Sequence, residues 1–405
     1  MKYVLLIGDG MGDWPMDQLG GRTALMAAAT PNLDHMAQNG LLGRAKTVPD
    51  GMTPGSDVAI MSLMGYYPKG ILSGRGPLEA ASQHVETAPD ELVFRMNLVT
   101  VDHDGSSVIM RNHASGNIST EESEELLTAL REKLPLKGGQ RIFSGVSYRH
   151  LLTWPEGAAL PPMPSIPPHD HLDQKVNDFI EDPEAAPIME LIRASWDILE
   201  NHPVNQKRRA QGLLPASSIW LWGQGLRPDV KTYQERWGLT GATVSAVDLI
   251  KGLGVVTGLE TINVPGATGW LDTNYEGKVN AALKALETLD FVVVHLEAPD
   301  ESSHQGNLEY KLRAIEDFDA KVVGPMLEKL PAFGSYRVLT ACDHYTPVSL
   351  KTHTADPVPF IIYGDPGQNL KASGLAYNED NAAKTGLMVD PGAELGRLLF
   401  GEEKK

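Results

Sequence analysis

The strongest constraint on the fold is a pair of short apolar runs that end on acidic and imidazole side chains. The run at residues 3–7 stops just before Asp9, and the run at residues 337–341 leads to Asp343 and His344. Such runs predict buried strands, so these groups would lie at strand ends. Carboxylates and imidazoles resist dry burial unless something pairs with them. A metal such as Zn, Mn, Fe or Ni suits this ligand set, and a solvated Asp-His turn is the alternative.

A third apolar run extends the same pattern. Residues 291–296 precede Asp300 and His304, whose four-residue spacing places both on one side of a helical turn. His353 supplies a further imidazole downstream of His344. Because α/β folds place their sites at the carboxyl edge of an open sheet, these groups together predict one site. Taken singly, each acid is also explained as a turn residue or a helix cap.

Ser56 adds a hydroxyl group to this set. It lies in a turn formed by Pro54 and Gly55, directly before an apolar helical stretch. Serine is a weak nucleophile at its free pKa, and coordination to a dication lowers that pKa enough to expose alkoxide. The structural alternative for Ser56 is a helix N-cap.

Charge and cysteine content exclude several classes of function. The net charge of −17 argues against broad nucleic-acid or anionic-membrane contact surfaces, although it allows a locally basic pocket for a small phosphorylated substrate. The single cysteine, Cys342, cannot form an intrachain disulfide, which favours a reducing cytoplasm. The N-terminal apolar run is too short for a signal peptide, and no window approaches the ~18 apolar residues of a membrane span. The oligomeric state is not predicted.

The order of elements predicts one parallel-sheet domain that a second domain interrupts. Residues 94–101 alternate in polarity and lead to Asp104 and Gly105, a hairpin signal. Strands, a hairpin and a helix of alternating polarity favour a small antiparallel α+β unit. We therefore predict an inserted domain at residues 86–208, flanked by a discontinuous domain of residues 1–85 and 209–405.

Motifs along most of the chain resemble those of the archaeal-type, cofactor-independent phosphoglycerate mutases of the alkaline phosphatase superfamily. The similar segments are residues 6–10, 30–32, 55–57, 74–80, 118–122, 264–269 and 343–344. The resemblance implies an α/β fold with a doubly wound, mainly parallel sheet that carries two metals. It also implies that the smaller inserted domain closes over this sheet and excludes water.

The same resemblance implies which side chains bind the two divalent ions, which would be Mn, Zn or Mg, with Mn preferred. One ion would be bound by Asp9, Ser56, Asp343 and His344, and the other by Asp300, His304 and His353. Two metals a few Å apart would neutralise the attacking and phosphoryl oxygens of phosphoryl transfer.

The implied reaction moves a phosphoryl group through a phosphoserine at Ser56, interconverting 2- and 3-phosphoglycerate. Lys251 resembles the family's active-site lysine, and an ordinary surface lysine is the alternative. The segments similar to the family's substrate-facing ones contribute His113, Arg149, His169, Asp170, Arg208 and Arg209. Guanidinium groups at these positions could bind a carboxylate or phosphate with two hydrogen bonds. Solvated surface residues are again the alternative.

One departure from the family pattern leaves the substrate open. Where archaeal mutases read Ala-Gly-Arg, this chain has Ser115, Gly116 and Asn117, so an arginine that could bind the substrate's anionic end is missing. A bacterial branch of similar appearance has been proposed to be homoserine kinase, which would take its phosphoryl group from an external donor. The chain has no Walker-type nucleotide loop. A phosphomonoesterase, which needs only a site open to water, is a third alternative.

Overall fold

The computed structural model describes residues 1–364 and 370–404, which form two compact units. Unit 1 comprises Met1–Ile71 and Val230–Lys405, and unit 2 comprises Leu72–Asp229. The predicted boundaries at residues 86 and 208 therefore correspond to divisions at 71/72 and 229/230.

The strands of the described chain are, in order, β1 (Lys2–Gly8), β2 (Leu41–Ala45), β3 (Leu92–Asp104), β4 (Ser107–Asn112), β5 (Arg141–Phe143), β6 (Arg149–Trp154), β7 (Ser218–Gly225), β8 (Gly241–Val244), β9 (Glu260–Ile262), β10 (Phe291–Leu296), β11 (Tyr336–Ala341), β12 (Val358–Gly364) and β13 (Met388–Val389).

The α-helices are α1 (Ala24–Ala27), α2 (Pro31–Asn39), α3 (Ser56–Leu63), α4 (Gly76–Ser82), α5 (Thr120–Lys133), α6 (Asn177–Ile180), α7 (Ala186–Glu200), α8 (Pro203–Ala210), α9 (Tyr233–Arg236), α10 (Asp248–Val256), α11 (Tyr275–Leu286), α12 (Ala298–His304), α13 (Leu308–Phe318), α14 (Gly324–Lys329), α15 (Glu379–Lys384) and α16 (Leu395–Phe400). A π-helical turn at Asp319–Val323 joins α13 to α14. Shorter 3₁₀ turns occur at Asp17–Leu19, Gly157–Ala159, Pro168–His171, Pro183–Ala185, Leu330–Phe333 and Gly392–Glu394.

Unit 1 is built on an eight-stranded sheet in the order β13-β2-β12-β11-β1-β10-β8-β9. All neighbours are parallel except β12, which runs antiparallel to both β11 and β2. Residues 4–7 of β1, 291–296 of β10 and 338–341 of β11 are buried, which indicates that helices cover both faces of the sheet. From β1, the sheet continues through β11 on one side and through β10 on the other, as in a doubly wound sheet. The predicted α/β fold with a mainly parallel sheet is confirmed.

Unit 2 contains an antiparallel sheet in the order β4-β3-β6-β5, and β7 also pairs with β3. Its core joins this sheet to α5 and α7 through apolar residues of both helices. The predicted insertion was too narrow at both ends for a physical reason. Helix α4 packs against β3, and β7 forms backbone pairs along β3, so both elements belong to unit 2 although they lie outside residues 86–208.

Membrane-spanning segments were sought in the described residues. None of the helices there is both long enough and apolar enough to cross a bilayer.

Candidate metal centre

The register of the central strands brings the acidic residues together. Ile7 of β1 pairs with Ala341 of β11, and Gly8 pairs with Leu296 of β10. Because these parallel strands end at the same level, the residues that follow them meet at one edge of the sheet. Gly10, directly after Asp9, adopts a left-handed φ of 62°, which glycine tolerates without strain. In this turn its N–H donates to Asp343 Oδ1 at 3.0 Å and so joins the ends of β1 and β11.

The first ligand group consists of Asp9, Asp343 and His344, all buried, with ligand atoms within 4.8 Å of one another. His344 Nε2 lies 3.2 Å from Asp343 Oδ2 and 3.6 Å from Asp9 Oδ1. Ser56 begins helix α3 and places its Oγ 3.2 Å from the same nitrogen. The four residues predicted to surround one ion therefore lie together.

The second ligand group consists of Asp300, His344 and His353. Helix α12 carries Asp300 and His304 four residues apart, and His304 Nε2 lies 3.0 Å from Asp300 Oδ2 and 2.9 Å from His353 Nε2. His353 Nε2 lies 3.4 Å from Asp300 Oδ1. The sequence assigned His344 to the first ion alone, whereas the structure places it within reach of both groups.

Unsatisfied acid oxygens indicate that a cation fits here. Asp9 Oδ1 and Asp343 Oδ2 are buried and accept no hydrogen bond within the described chain. Burial and the nearby charge of Asp343 raise the pKa of Asp9 well above its ordinary value. Such an arrangement is unfavourable unless a positive charge compensates it, and a dication provides that charge. The donor set of carboxylates and imidazoles suits Zn or Mn.

Hydrogen bonds orient two histidines of the site through their Nδ1 atoms. Thr346 Oγ1 donates to Asp300 Oδ1 at 2.5 Å, so at 3.2 Å it can only accept from His344 Nδ1. His304 Nδ1 lies 2.9 Å from the carbonyl oxygen of Lys351, which can only accept. These Nδ1 contacts leave both Nε2 atoms directed at the other candidate ligands, an arrangement typical of metal-binding histidines. The hydrogen bond from His304 to Asp300 raises the pKa of His304 to about 9, so this ring must lose a proton when it binds a metal. The sequence analysis did not identify Thr346.

His295 of β10 is a second residue that the sequence analysis missed. Its Nε2 lies 2.8 Å from Asp9 Oδ2, and its Nδ1 lies 3.0 Å from Ser245 Oγ. Burial, with the charge of Lys278 adding to it, lowers the pKa of His295 to about 3, so the ring is neutral. Within an apolar run such a residue looks like part of the core. Only the pairing of β1 with β10 reveals its partner.

Lys251, the predicted active-site lysine, lies on α10 with its Nζ 3.4 Å from Asp248 Oδ1. A second lysine lies nearby that the sequence did not single out. Lys278 is buried and donates to the His295 carbonyl at 3.1 Å. Burial lowers the pKa of Lys278 to about 8, and the charge of Lys251 contributes to this shift. Burial likewise raises the pKa of Glu297 to about 8.

Unit 2 groups three of the predicted substrate residues around aromatic side chains. The His113 ring lies 5.7 Å from the Tyr148 ring and 6.0 Å from the His169 ring, between centroids. His169 lies 5.4 Å from Trp222, and the Arg149 guanidinium carbon lies 5.5 Å from the Tyr148 centroid. We call these five residues the basic-aromatic cluster.

Arg208 lies apart from this cluster and is bound entirely by its own chain. Its Nε donates to the Leu214 carbonyl at 2.8 Å, its Nη2 donates to the Ser115 carbonyl at 2.7 Å, and its Nη1 pairs with Glu122. At 3% exposure it holds the loop at residue 115. This structural role differs from the predicted contact with substrate.

The other two predicted substrate residues are exposed. Arg209 pairs with Glu200 Oε2 at 2.6 Å on the surface of unit 2. Asp170 lies 3.6 Å from the Nε2 atom of His169, so it borders the basic-aromatic cluster. Asp170 thus lies beside the basic-aromatic cluster, whereas Arg209 pairs with Glu200 outside it.

Comparison with known proteins identifies the class of this metal-binding α/β fold. Residues 1–390 match the family model described as Metalloenzyme superfamily. The chain belongs to this superfamily. Its membership, together with the two ligand groups described above, makes it a metal-dependent protein.

Curated relatives narrow the class further. The chain is 48% identical over 402 residues to a probable 2,3-bisphosphoglycerate-independent phosphoglycerate mutase of Geobacter sulfurreducens, covering 99% of this chain and 100% of that protein. It is 47% identical over 390 residues to the corresponding mutase of Methanosarcina acetivorans, covering 96% of each. The chain is a member of the 2,3-bisphosphoglycerate-independent phosphoglycerate mutase family, and the resemblance predicted from its motifs is confirmed.

Two solved structures share the fold. A protein from Pyrococcus horikoshii superimposes with a TM-score of 0.82 at 27% identity, covering 98% of this chain and 96% of that one. A cofactor-independent phosphoglycerate mutase from Thermoplasma acidophilum gives a TM-score of 0.65 at 26% identity, covering 98% and 99%.

Proposed function

We propose that this protein interconverts 2- and 3-phosphoglycerate by way of a phosphoserine at Ser56. Its relatives of nearly equal length bear the name of that activity. The observation that carries the proposal is the position of Ser56 Oγ, 3.2 Å from His344 Nε2, the imidazole that both ligand groups share. A nucleophile at this point can reach a phosphoryl group bound between the two groups.

We propose two divalent ions, with Mn preferred, at the strand ends that carry these ligands. Asp9, Asp343 and His344 would hold one, with Ser56, and Asp300, His304 and His353 would hold the other. When bound, such ions lower the pKa of a serine hydroxyl and neutralise charge on the phosphoryl oxygens. The imidazole and carboxylate donors present, and the absence of a thiolate among them, favour Mn or Zn over a softer ion.

The residues of the chain then perform two opposite transfers. The Ser56 hydroxyl loses its proton and its Oγ forms a bond to phosphorus while the bond from phosphorus to the glycerate oxygen breaks. The glycerate oxygen takes up one proton, which balances the proton lost by Ser56. The other glycerate hydroxyl next loses its proton, attacks the phosphoserine and releases Ser56. We assign Lys251 to the substrate side of this exchange, where its ammonium group would stabilise the negative phosphoryl oxygens.

The basic-aromatic cluster is proposed to bind the anionic end of the glycerate. Arg149, His113 and His169 supply donors for a carboxylate or phosphate, and Arg95 stacks on Trp222 with its guanidinium carbon 4.1 Å from the ring. Asp170 borders this group. The contacts of Arg208 and Arg209 within the chain favour positioning roles for these two arginines.

We also propose a cytoplasmic location, which suits the single reduced cysteine.

A direct assay separates the candidate activities. Protein loaded with Mn²⁺ and supplied with 3-phosphoglycerate alone should form 2-phosphoglycerate without any nucleotide, as followed through an enolase-coupled absorbance change. Homoserine with ATP should give no phosphohomoserine. Activity on homoserine and none on phosphoglycerate would replace the mutase by the kinase. Release of inorganic phosphate as the main product would identify a phosphomonoesterase.

A further inference from the structure

A buried chain of three polar side chains reaches the candidate metal centre at Asp9. It consists of Ser245, His295 and Asp9, of which none is more than 2% exposed. Ser245 follows β8, His295 lies in β10 and Asp9 follows β1, so the chain crosses three neighbouring strands of the sheet. The proposed function assigns no role to the first two residues.

The neutral His295 ring carries one N–H, and the Asp9 carboxylate can only accept, so the ring proton lies on Nε2 and Nδ1 is the acceptor. Ser245 Oγ accepts the Val247 N–H at 3.0 Å, and its own proton is free to bond to His295 Nδ1 at 3.0 Å. The Nε2–H of His295 donates to Asp9 Oδ2 at 2.8 Å.

This arrangement divides the two oxygens of Asp9. Oδ2 is occupied by His295, whereas Oδ1 is buried, accepts no hydrogen bond in the described chain and lies 3.6 Å from His344 Nε2. A carboxylate without the His295 contact could rotate about its terminal bond, since that torsion is broad and roughly two-fold. The imidazole therefore selects one rotation and leaves one oxygen for the ion.

We propose that His295, oriented by Ser245, is a positioning residue that fixes the Asp9 carboxylate with Oδ1 directed into the metal centre. The inference rests on the proposed role of Asp9 as a ligand, but it concerns the protein alone and does not depend on the substrate. Partners that orient ligating carboxylates and histidines commonly change metal affinity by about 10- to 100-fold when they are removed.

The test measures Mn²⁺ binding to metal-free protein by titration calorimetry, without substrate. His295→Leu should lower the affinity for one of the two Mn²⁺ ions by about 10- to 100-fold, approaching the effect of Asp9→Asn. His295→Gln keeps an N–H donor at the Nε2 position and should remain within about threefold of wild type. His150 is a matched control, because it is equally buried in unit 2 and far from any proposed ligand in sequence. His150→Leu should leave Mn²⁺ affinity unchanged.

The outcomes are distinct. If Asp9→Asn binds Mn²⁺ as wild type does, the ligand assignment itself fails. If Asp9→Asn weakens binding and His295→Leu does not, the positioning role is wrong while the metal centre stands. Equal losses in His295→Leu and His295→Gln would also overturn the proposal, because packing and not the donor would then matter. Should His295→Leu fail to fold by circular dichroism, Ser245→Ala takes its place, because it removes the hydroxyl that orients the His295 ring. Ser245→Ala should weaken Mn²⁺ binding, and wild-type affinity in this variant would overturn the proposal.

Discussion

Ser56 is the residue whose removal tests the phosphoenzyme most directly. Ser56→Ala deletes the nucleophilic oxygen and should reduce phosphoglycerate turnover by several orders of magnitude. The helix should persist, because the N-cap of α3 is Gly55, no side chain caps this helix end, and Ser56 lies at the first helical position. Steady-state kinetics and circular dichroism of the same sample provide the measurement. A variant with a tenth of the wild-type rate would exclude a serine-phosphate on the pathway.

A second serine in the same helix serves as the control for that experiment. Ser62 is buried and donates to the Thr47 carbonyl at 2.6 Å. Ser62→Ala should cost about 1 kcal/mol of unfolding free energy, the usual net value of one hydrogen bond, and leave turnover nearly unchanged.

At the scale of single residues, the sequence predicted those members of the site that end an element. Asp9 and Asp343 follow apolar runs, where a polar side chain stands out against its neighbours. His295 and Thr346 were missed because their roles depend on contacts between distant parts of the chain. The hydrogen bond from His295 to Asp9 joins residues 286 positions apart and exists only because β10 pairs with β1 in one register.

Helix α13 anchors the loops of the metal centre through one lysine. The Nζ of Lys311 donates to the Gly12 carbonyl at 3.0 Å, to Asp13 Oδ2 at 2.8 Å and to the Thr346 carbonyl at 2.9 Å, with both charged groups fully buried. Lys311→Met should lower the unfolding free energy by about 3–5 kcal/mol, because it leaves the Asp13 carboxylate buried and unpaired. Urea unfolding measures the loss.

The double variant of Lys311→Met with Asp13→Asn is the control for that prediction. The amide removes the unpaired charge and still accepts the Trp14 N–H that Asp13 Oδ1 binds at 2.8 Å. It should therefore be more stable than Lys311→Met alone. If the two variants unfold at the same urea concentration, the loss arises from packing of the lysine chain and not from the charge.

Strand β6 gives unit 2 a pH-dependent stability. His150 is buried, and burial lowers its pKa to about 4 from an ordinary value of about 6.5. Between these values the unfolded chain binds a proton that the folded chain does not, so stability should fall as pH decreases from 6.5 to 4. The loss from this residue should reach up to about 3 kcal/mol at pH 4.

Unfolding experiments between pH 4 and pH 7 check this prediction for the strand. His150→Gln should show a shallower decline with acid than the wild-type protein, whereas His103→Gln, at an exposed position of β3, should follow the wild type. Parallel curves for all three proteins would exclude His150 as a source of acid sensitivity.

At the scale of elements, local signals predicted more than long-range ones. The hairpin signal at Asp104 and Gly105 corresponds to the turn between β3 and β4, and the four-residue spacing of Asp300 and His304 corresponds to α12. The domain boundaries were placed too close together because β7 and α4 join unit 2 only through pairing and packing with β3. The contacts of Arg208 could not be predicted for the same reason, since its partners Ser115 and Glu122 are distant in sequence.

The whole molecule concentrates its candidate metal ligands in one unit. The net charge is −17, and both candidate ligand groups lie in unit 1. The strand ends after β1, β10 and β11 hold buried acids that repel one another without a cation. Divalent ions should therefore stabilise unit 1 directly, whereas unit 2 has no ligand group among its described residues and should respond little.

Metal binding is thus expected to be visible in the stability of one unit. Mn²⁺ at about 100 times its dissociation constant should add about 2.7 kcal/mol for each ion bound, with two ions per chain, and EDTA should reverse the gain and abolish turnover. Hydrogen exchange should show protection at β1, β10 and β11 and little change at β3 and β6. Asp9→Asn is the control and should lose part of this gain. Equal protection of both units, or a gain unchanged in Asp9→Asn, would mean that Mn²⁺ acts at sites other than these strand ends.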